Sequence, residues 1–158
     1  MKNFPFPIQG SISTGTLRVS DLLESFLSAL RRLGGKLQRA DANKIRRMLD
    51  RDESEWTTEE VEFASELLSE IQDRLQGYAP ECFYFGTSQG DGADFGFFFD
   101  SELFEMERRD CPDDFVDDLS EAEARGNLRA FVVNDHGNVS LFVRKSARAA
   151  WREVWSVV

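Results

Sequence analysis

Residues 81–99 read ECFYFGTSQGDGADFGFFF, two aromatic runs separated by a segment rich in glycine and aspartate. Aromatic residues favour β-strands, whereas glycine and aspartate favour the turns that join them. The stretch predicts a β-hairpin in which residues 82–85 and 95–99 pair across a loop at residues 89–94. Gly86 and Gly96 lie within or beside these strands, where glycine often marks a bulge or the close approach of another backbone.

A second hairpin is indicated further along the chain. Residues 130–133 and 139–143 are apolar runs on either side of the sequence Asn-Asp-His-Gly-Asn at 134–138, which is typical of a turn. Two hairpins predict an antiparallel sheet of about four strands.

Helical periodicity flanks the hairpins and predicts an α+β fold in which N-terminal helices cover the sheet. Apolar residues from Ser146 onward, including Trp151 and Trp155 four positions apart, predict a C-terminal helix. Residues 1–19 are interpreted as an N-terminal arm and residues 20–158 as a single domain. The signals for the N-terminal helices are a cap at Ser20 with a stop at Gly34-Gly35, a start at Asp41, and a cap at Thr57 or Thr58 with a stop at Gly77.

Charge is the strongest compositional signal. The chain has 29 acidic and 19 basic residues, a net charge of −10. A field of this sign repels phosphate backbones and anionic lipids, so we expect neither nucleic acid nor a membrane as a direct partner. The natural complement is a protein with a basic surface.

Most of this charge falls in one segment, residues 100–123, called here the acidic connection. It holds eleven acidic residues and two arginines, a net charge of −9. Apolar residues interrupt the acids, so the segment is predicted to be ordered and partly helical. The candidate partner-binding residues are Glu102, Glu105, Glu107, Asp110, Asp113, Asp114, Asp117, Asp118 and Glu121.

Catalytic motifs do not emerge from the sequence. His136 is the one histidine, and it falls at a predicted turn where its residue type suits the backbone. No serine or cysteine has the context of an activated nucleophile, so we predict no catalytic residue and no enzyme activity.

A metal site is the other chemical possibility. Asp91, Asp94, Asp135 and His136 lie in the two predicted hairpin loops, and they could share a cation if both loops met at one sheet edge. The competing interpretation is that these residues only build turns. No other cofactor is predicted.

Cellular location is inferred from the cysteines and the apolar pattern. Cys82 and Cys111 have no paired spacing and are expected to be reduced thiols. No secretory signal precedes residue 20 and no apolar run reaches the length of a membrane span, so the sequence predicts a cytoplasmic protein.

Two motifs together carry a resemblance. Residues 84–86 and 90–96 read YFG and GDGADFG, and residues 135–139 read DHGNV. The pair resembles a signature of short uncharacterised bacterial, plasmid and phage proteins, over at most residues 57–143. The resemblance implies a mobile-element setting, in which small acidic proteins often act as stoichiometric inhibitors, including anti-CRISPR and anti-restriction proteins.

Four functional hypotheses remain open at this point. The leading one is a non-enzymatic inhibitor whose acidic connection imitates nucleic-acid phosphates and docks on a basic, nucleic-acid-handling protein. An immunity protein that plugs a basic toxin nuclease would use the same surface. A metal-dependent hydrolase or ligand-binding protein would use the two hairpin loops instead, and a structural subunit would need a constant partner.

Overall fold

The computed structural model describes residues 6–158, so the first five residues of the predicted arm lie outside the described residues. The chain groups into two compact units. The helical unit comprises residues 8–79 and 84–98, and the described part of the sheet unit comprises residues 6–7, 80–83 and 99–158. The α+β class is confirmed, and the assignment of residues 20–158 to one domain stays a prediction.

The helical unit contains three α-helices and most of a three-stranded sheet with the strand order β1-β3-β2. β1 pairs antiparallel with β3, and β2 and β3 form the first predicted hairpin. The elements are β1 (Gly10–Ser13), α1 (Val19–Arg32), α2 (Arg39–Leu49), α3 (Thr58–Gln76), β2 (Phe83–Ser88) and β3 (Asp91–Phe99).

The core of the helical unit forms where α1 packs against α3 and the hairpin. α1 buries one apolar stripe, and its Phe26 contacts the rings of Phe85 and Phe95 at centroid distances of 5.0 and 5.4 Å. α3 buries Ile71 and Leu75 completely, whereas Val61 in its first turn is 43% exposed. α1 therefore packs on the three-stranded sheet, whereas the prediction had N-terminal helices covering a single four-stranded sheet.

The starts of α1 and α3 differ in their capping. Thr57 caps α3, since its hydroxyl accepts the N–H of Glu60 while Glu60 accepts the N–H of Thr57, so the predicted cap is confirmed. Ser20 is not a cap, because α1 already begins at Val19. The Ser20 N–H and hydroxyl donate instead to a carboxylate oxygen of Glu53, at 3.0 and 2.8 Å.

The predicted loop of the first hairpin is shorter than its composition suggests. Only Gln89 and Gly90 separate the strands, and residues 91–94 belong to β3. The Asp91 carboxylate accepts the N–H of Ala93, and the Ala93 carbonyl accepts the N–H of Gly15. Pairing outside the hairpin thus extends a strand through residues that favour turns on their own.

The sheet unit has a four-stranded sheet with the order β4-β5-β6-β7. β5 and β6 are the second predicted hairpin, which is confirmed to within one residue, while β4 pairs parallel with β5 and β7 antiparallel with β6. The elements are α4 (Ser101–Asp110), β4 (Phe115–Val116), α5 (Leu119–Arg125), β5 (Arg129–Val133), β6 (Val139–Val143) and β7 (Arg152–Val157).

Two fold predictions need correction. The hairpins do not share one four-stranded sheet, because each belongs to a different sheet. The C-terminal helix is also wrong, since residues 152–157 form β7, in which Trp155 lies opposite Leu141. Valine and tryptophan favour strands, and pairing with β6 outweighs the helical spacing of the two tryptophans.

Aromatic rings fill the core of the sheet unit. Trp155 is completely buried, with the rings of Phe83, Phe99 and Phe131 at centroid distances of 5.4, 5.6 and 6.1 Å. Aromatic pairs at such distances add to the free energy of burial. In the part of the chain that the structure describes, no helix is long and apolar enough to cross a bilayer.

Gly96 allows the close backbone approach that glycine in a strand suggests. A Cβ atom at Gly96 would lie 2.1 Å from the carbonyl oxygen of Gly10 on β1, whereas one at Gly86 would meet only the Tyr84 ring at 3.4 Å. The β1–β3 pairing therefore depends on the missing side chain at Gly96.

We predict that Gly96→Ala lowers the free energy of unfolding by about 1–3 kcal/mol, because the methyl group must push β1 away from β3. Gly86→Ala is the matched control and is expected to change stability by no more than about 1 kcal/mol. Urea unfolding of both variants measures the difference. Equal effects at the two glycines would show that β1 does not constrain residue 96.

Candidate functional site

The acidic connection folds into short elements whose ends are capped by its own acids. Asp100 caps α4, accepting the N–H groups of Glu102 and Leu103 at 2.9 and 3.1 Å. Asp118 caps α5, accepting the N–H of Glu121 at 3.0 Å, and hydrogen bonds from Ser120 and Glu121 lower the pKa of its carboxyl. The prediction of an ordered, partly helical segment is confirmed.

Two phenylalanines attach the acidic connection to the four-stranded sheet. Phe104 of α4 contacts Phe99, Phe115 and Phe131 at centroid distances of 5.4, 5.3 and 5.8 Å. Phe115 of β4 stacks on Phe131 at 4.6 Å, with an interplanar angle of 15°. Burial of these rings provides the attraction that holds the charged segment in place.

Arg129 on β5 binds three carboxylates, and we call this set of four side chains the Arg129 cluster. Its Nε and Nη2 donate to one Asp114 oxygen at 2.8 and 2.6 Å, Nη2 lies 3.2 Å from Glu107, and Nη1 pairs with Glu81. Sequence reasoning missed Glu81 and Arg129 because they are far apart in the chain and match no spacing rule. The cluster is half-buried, so its charges are poorly screened by water.

The electrostatics of the cluster are unbalanced, since one cation serves three anions. Burial raises the pKa of the Glu81 carboxyl above 4.5, and the charges of Glu107 and Asp114 oppose the favourable charge of Arg129. Burial alone would lower the pKa of Arg129, but the hydrogen bond to Asp114 and the three carboxylates raise it. Arg129 therefore stays charged, while burial disfavours the charged form of Glu81.

Cys82 lies beside this cluster in sequence and has no reactive character. Burial, together with the charges of Glu81 and Glu107, raises the pKa of its thiol to about 12, so the thiol is protonated at neutral pH. Cys82 is buried and Cys111 half-buried, and neither forms a disulfide in the structure.

The candidate partner-binding acids divide into engaged and exposed groups. Glu107 and Asp114 belong to the Arg129 cluster, Glu121 pairs with Arg125 at 2.6 Å, and Asp118 serves as a helix cap. Asp110 lies 4.0 Å from Arg109, both well exposed. Among the nine candidate acids, four are exposed and have neither a cationic partner within residues 6–158 nor a capping role: Glu102, Glu105, Asp113 and Asp117.

Apolar side chains lie among the exposed acids of α4. Leu103 is 41% and Met106 47% exposed, one helical turn apart. Phe104 between them faces the opposite way and is buried. We define the α4 surface as Glu102, Leu103, Glu105, Met106 and Asp110.

The four candidate metal ligands are not brought together within one unit. Asp91 and Asp94 lie on β3, while Asp135 and His136 lie in the β5–β6 turn. In that turn the side-chain oxygen of Asn134 accepts the N–H groups of His136 and Asn138, as expected of residues that build a turn. Among residues 6–158 no group of three or more His, Cys, Asp or Glu side chains could hold a metal ion.

A basic region of the helical unit was hidden by the net charge of the chain. Residues 31–51 hold eight of the 19 basic residues and only two acids, a local charge of +6. Counting charge in short windows, rather than over the whole chain, reveals this region from the sequence.

Neither a protein-family model, nor a curated protein, nor a solved structure matches this chain. The resemblance to short bacterial, plasmid and phage proteins therefore stays a prediction, and the function must be argued from the surfaces described above.

The Arg129 cluster predicts a pH dependence of stability. Because the folded-state pKa of Glu81 is raised, the native protein binds more protons than the unfolded chain above pH 4.5. Wild-type protein should therefore gain stability relative to Glu81→Gln as pH falls from neutral to 4.5. Urea unfolding across this range measures the difference between the two proteins.

Glu60 provides a control of opposite sign. The hydrogen bond from the Thr57 N–H, and after it the hydrogen bond from Arg51, lower the pKa of the Glu60 carboxyl below 4.5. Ionised Glu60 therefore stabilises the fold fully above that pH, and this stabilisation is lost below it. The advantage of wild type over Glu60→Gln should stay level down to pH 4.5 and then shrink. Two curves that moved in the same direction would contradict the assigned shifts.

Proposed function

We propose that the chain is a non-enzymatic inhibitor that docks its acidic connection on a basic surface of a nucleic-acid-handling protein. The observation that carries the proposal is the α4 surface, where two exposed apolar side chains lie among three exposed carboxylates. The sequence resemblance adds mobile-element counter-defence as the setting in which to search for the partner.

The combination of carboxylates and apolar side chains on the α4 surface is better explained by binding to a protein partner than by solubility alone. Exposed carboxylates steer a basic partner and raise the association rate, but each exposed ion pair contributes little affinity. Leu103 and Met106 supply apolar area that a partner can bury, and such anchors lengthen the lifetime of a complex. Acids that only kept the protein in solution would not require apolar neighbours on the same helix.

Fewer acids are available for docking than the sequence predicted, because some of them pair with arginines of the same chain. Glu107, Asp114 and Glu121 already hold arginines of the chain itself, so a partner would have to displace Arg129 or Arg125 to use them. Removing a half-buried carboxylate from its cation is costly. The docking charges are therefore Glu102, Glu105, Asp110, Asp113 and Asp117.

A protein capture experiment combined with binding kinetics tests this proposal. The full chain serves as bait in an extract of the native host, beside the variant E102K/E105K/D110K. The matched control is E62K/E66K/D73K, which makes the same change of net charge on exposed positions of α3 in the helical unit. The identity of the protein retained by wild type and control also separates a defence effector from a toxin nuclease.

We predict that the α4 charge reversal lowers the association rate at least about 10-fold at low salt, and that the effect fades as salt rises. L103S/M106S should leave the association rate unchanged and speed dissociation, because it removes only the anchors. Surface plasmon resonance on the captured partner measures both rates. If the α3 control loses as much binding as the α4 variant, the α4 surface is not the docking site.

A further inference from the structure

The positive charge of the chain is concentrated in one part of the helical unit. Residues 31–51 run from the end of α1 through α2 and carry a charge of +6, in a chain whose total is −10. The basic residues are Arg31, Arg32, Lys36, Arg39, Lys44, Arg46, Arg47 and Arg51, and the two acids are Asp41 and Asp50.

α2 turns three of these cations to solvent. Its inner side is fixed by Ile45 and Met48, which are 2% and 1% exposed. Helical periodicity then places Arg39, Arg46 and Arg47 on the outer side, and all three are exposed. None of the three has a carboxylate partner among the residues that the structure describes. The outer side of α2 is thus a basic surface that the fold itself does not neutralise.

A hollow borders this surface. Lys44, Arg47 and Arg51 line an open concavity of about 530 Å³ together with Glu60. Glu60 holds Arg51 at 2.5 Å, and the Lys44 ammonium lies 3.9 Å from the centroid of the Phe63 ring. A second hollow of about 260 Å³, at the junction of α1 and α2, has Arg31 and Lys36 in its wall. Both hollows expose cations of the same segment.

We propose that Arg39, Lys44, Arg46 and Arg47, called here the α2 surface, bind the phosphate backbone of nucleic acid. Arg51 is left out because Glu60 already holds it. This inference concerns a different surface from the proposed docking site on α4 and stands or falls separately from it.

The spacing of the cations favours phosphates as the occupant. α2 has 11 residues and is about 16 Å long at a rise of ~1.5 Å per residue. One strand of a duplex presents a phosphate every ~3.4 Å along its axis, so about five phosphates lie within reach of the helix. Guanidinium groups donate two parallel hydrogen bonds to a phosphate, and three of the four cations are arginines. An acidic protein could bind this surface equally well only if its carboxylates were spaced as closely as the phosphates of a duplex.

The negative charge of the chain does not exclude this contact. Charges farther apart than about 8 Å are largely screened at physiological ionic strength. A phosphate at α2 therefore interacts with the arginines beside it rather than with the sum over the chain. The expectation that nucleic acid is not a direct partner, which was based on net charge, is replaced by this local argument.

Fluorescence anisotropy of a labelled DNA duplex of about 20 base pairs tests the proposal with the full chain, at salt concentrations from about 50 to 200 mM. Three to four phosphate contacts predict that the logarithm of the association constant falls against the logarithm of salt with a slope of about −3. R39Q/R46Q/R47Q should weaken binding at least about 10-fold at the lowest salt. R39K/R46K/R47K keeps the charge and should retain most of the affinity.

The matched control is K145Q/R148Q/R152Q, which removes three exposed cations from the sheet unit and gives the same net charge. It should weaken binding less than about 3-fold, since none of the three positions belongs to the α2 surface. Glutamine is a good helix former, and circular dichroism with thermal unfolding verifies that each variant is folded.

Several outcomes would overturn the proposal. The first is that the protein does not bind the duplex even at the lowest salt. The second is that R39Q/R46Q/R47Q and its control lose the same amount of affinity for the duplex. Competition by poly-glutamate as strong as that by DNA would assign the α2 surface to an acidic protein. Salt-sensitive self-association, measured by sedimentation equilibrium and abolished by R39Q/R46Q/R47Q, would assign it to the acidic connection of a second copy.

Discussion

The guanidinium of Arg129 is the constraint on which the acidic connection depends. It holds Asp114, Glu107 and Glu81, which come from three separate segments of the chain. A segment with a charge of −9 repels itself when compact. The rings of Phe104, Phe115 and Phe131 can pack together only if the acids near them are compensated. Without Arg129, three half-buried carboxylates would lack a cation, and the protein would lose folding stability. Replacing all four side chains by apolar residues would cost far less stability. The same side chain decides which acids remain exposed to a partner.

Local signals in the sequence predicted the second hairpin and the start of α3, although they misplaced the cap of α1 and the loop of the first hairpin. The hairpin at residues 129–143 and the start of α3 at Thr57 depend on neighbours in the chain, and both were predictable. The assignment of the two hairpins to different sheets depends on partners far along the chain, such as β1 for the first and β4 and β7 for the second. Trp151 and Trp155 have helical spacing, but Trp155 pairs across from Leu141 in a strand, because tertiary pairing outweighs a short periodic pattern.

The candidate sites show the same division. The concentration of acids at 100–123 is visible in the sequence, yet their division into engaged and exposed groups is not, because it requires knowing that Arg129 and Arg125 face them. Leu103 and Phe104 are adjacent apolar residues that the sequence treats alike, and only the orientation of α4 makes one an exposed anchor and the other part of the core. The α2 surface was visible in principle but was averaged away when charge was summed over the chain.

The two charged surfaces differ in a way that bears on what each could recognise. The α4 surface combines charge with exposed Leu103 and Met106, whereas among residues 6–158 no large exposed apolar side chain lies on α2. Binding through charge alone is sensitive to salt and reads little beyond the density of the opposite charge. Binding that also buries apolar anchors depends on the shape of the partner and resists salt better. The α4 surface is therefore the one able to select a particular protein, while the α2 surface would contact phosphates regardless of sequence.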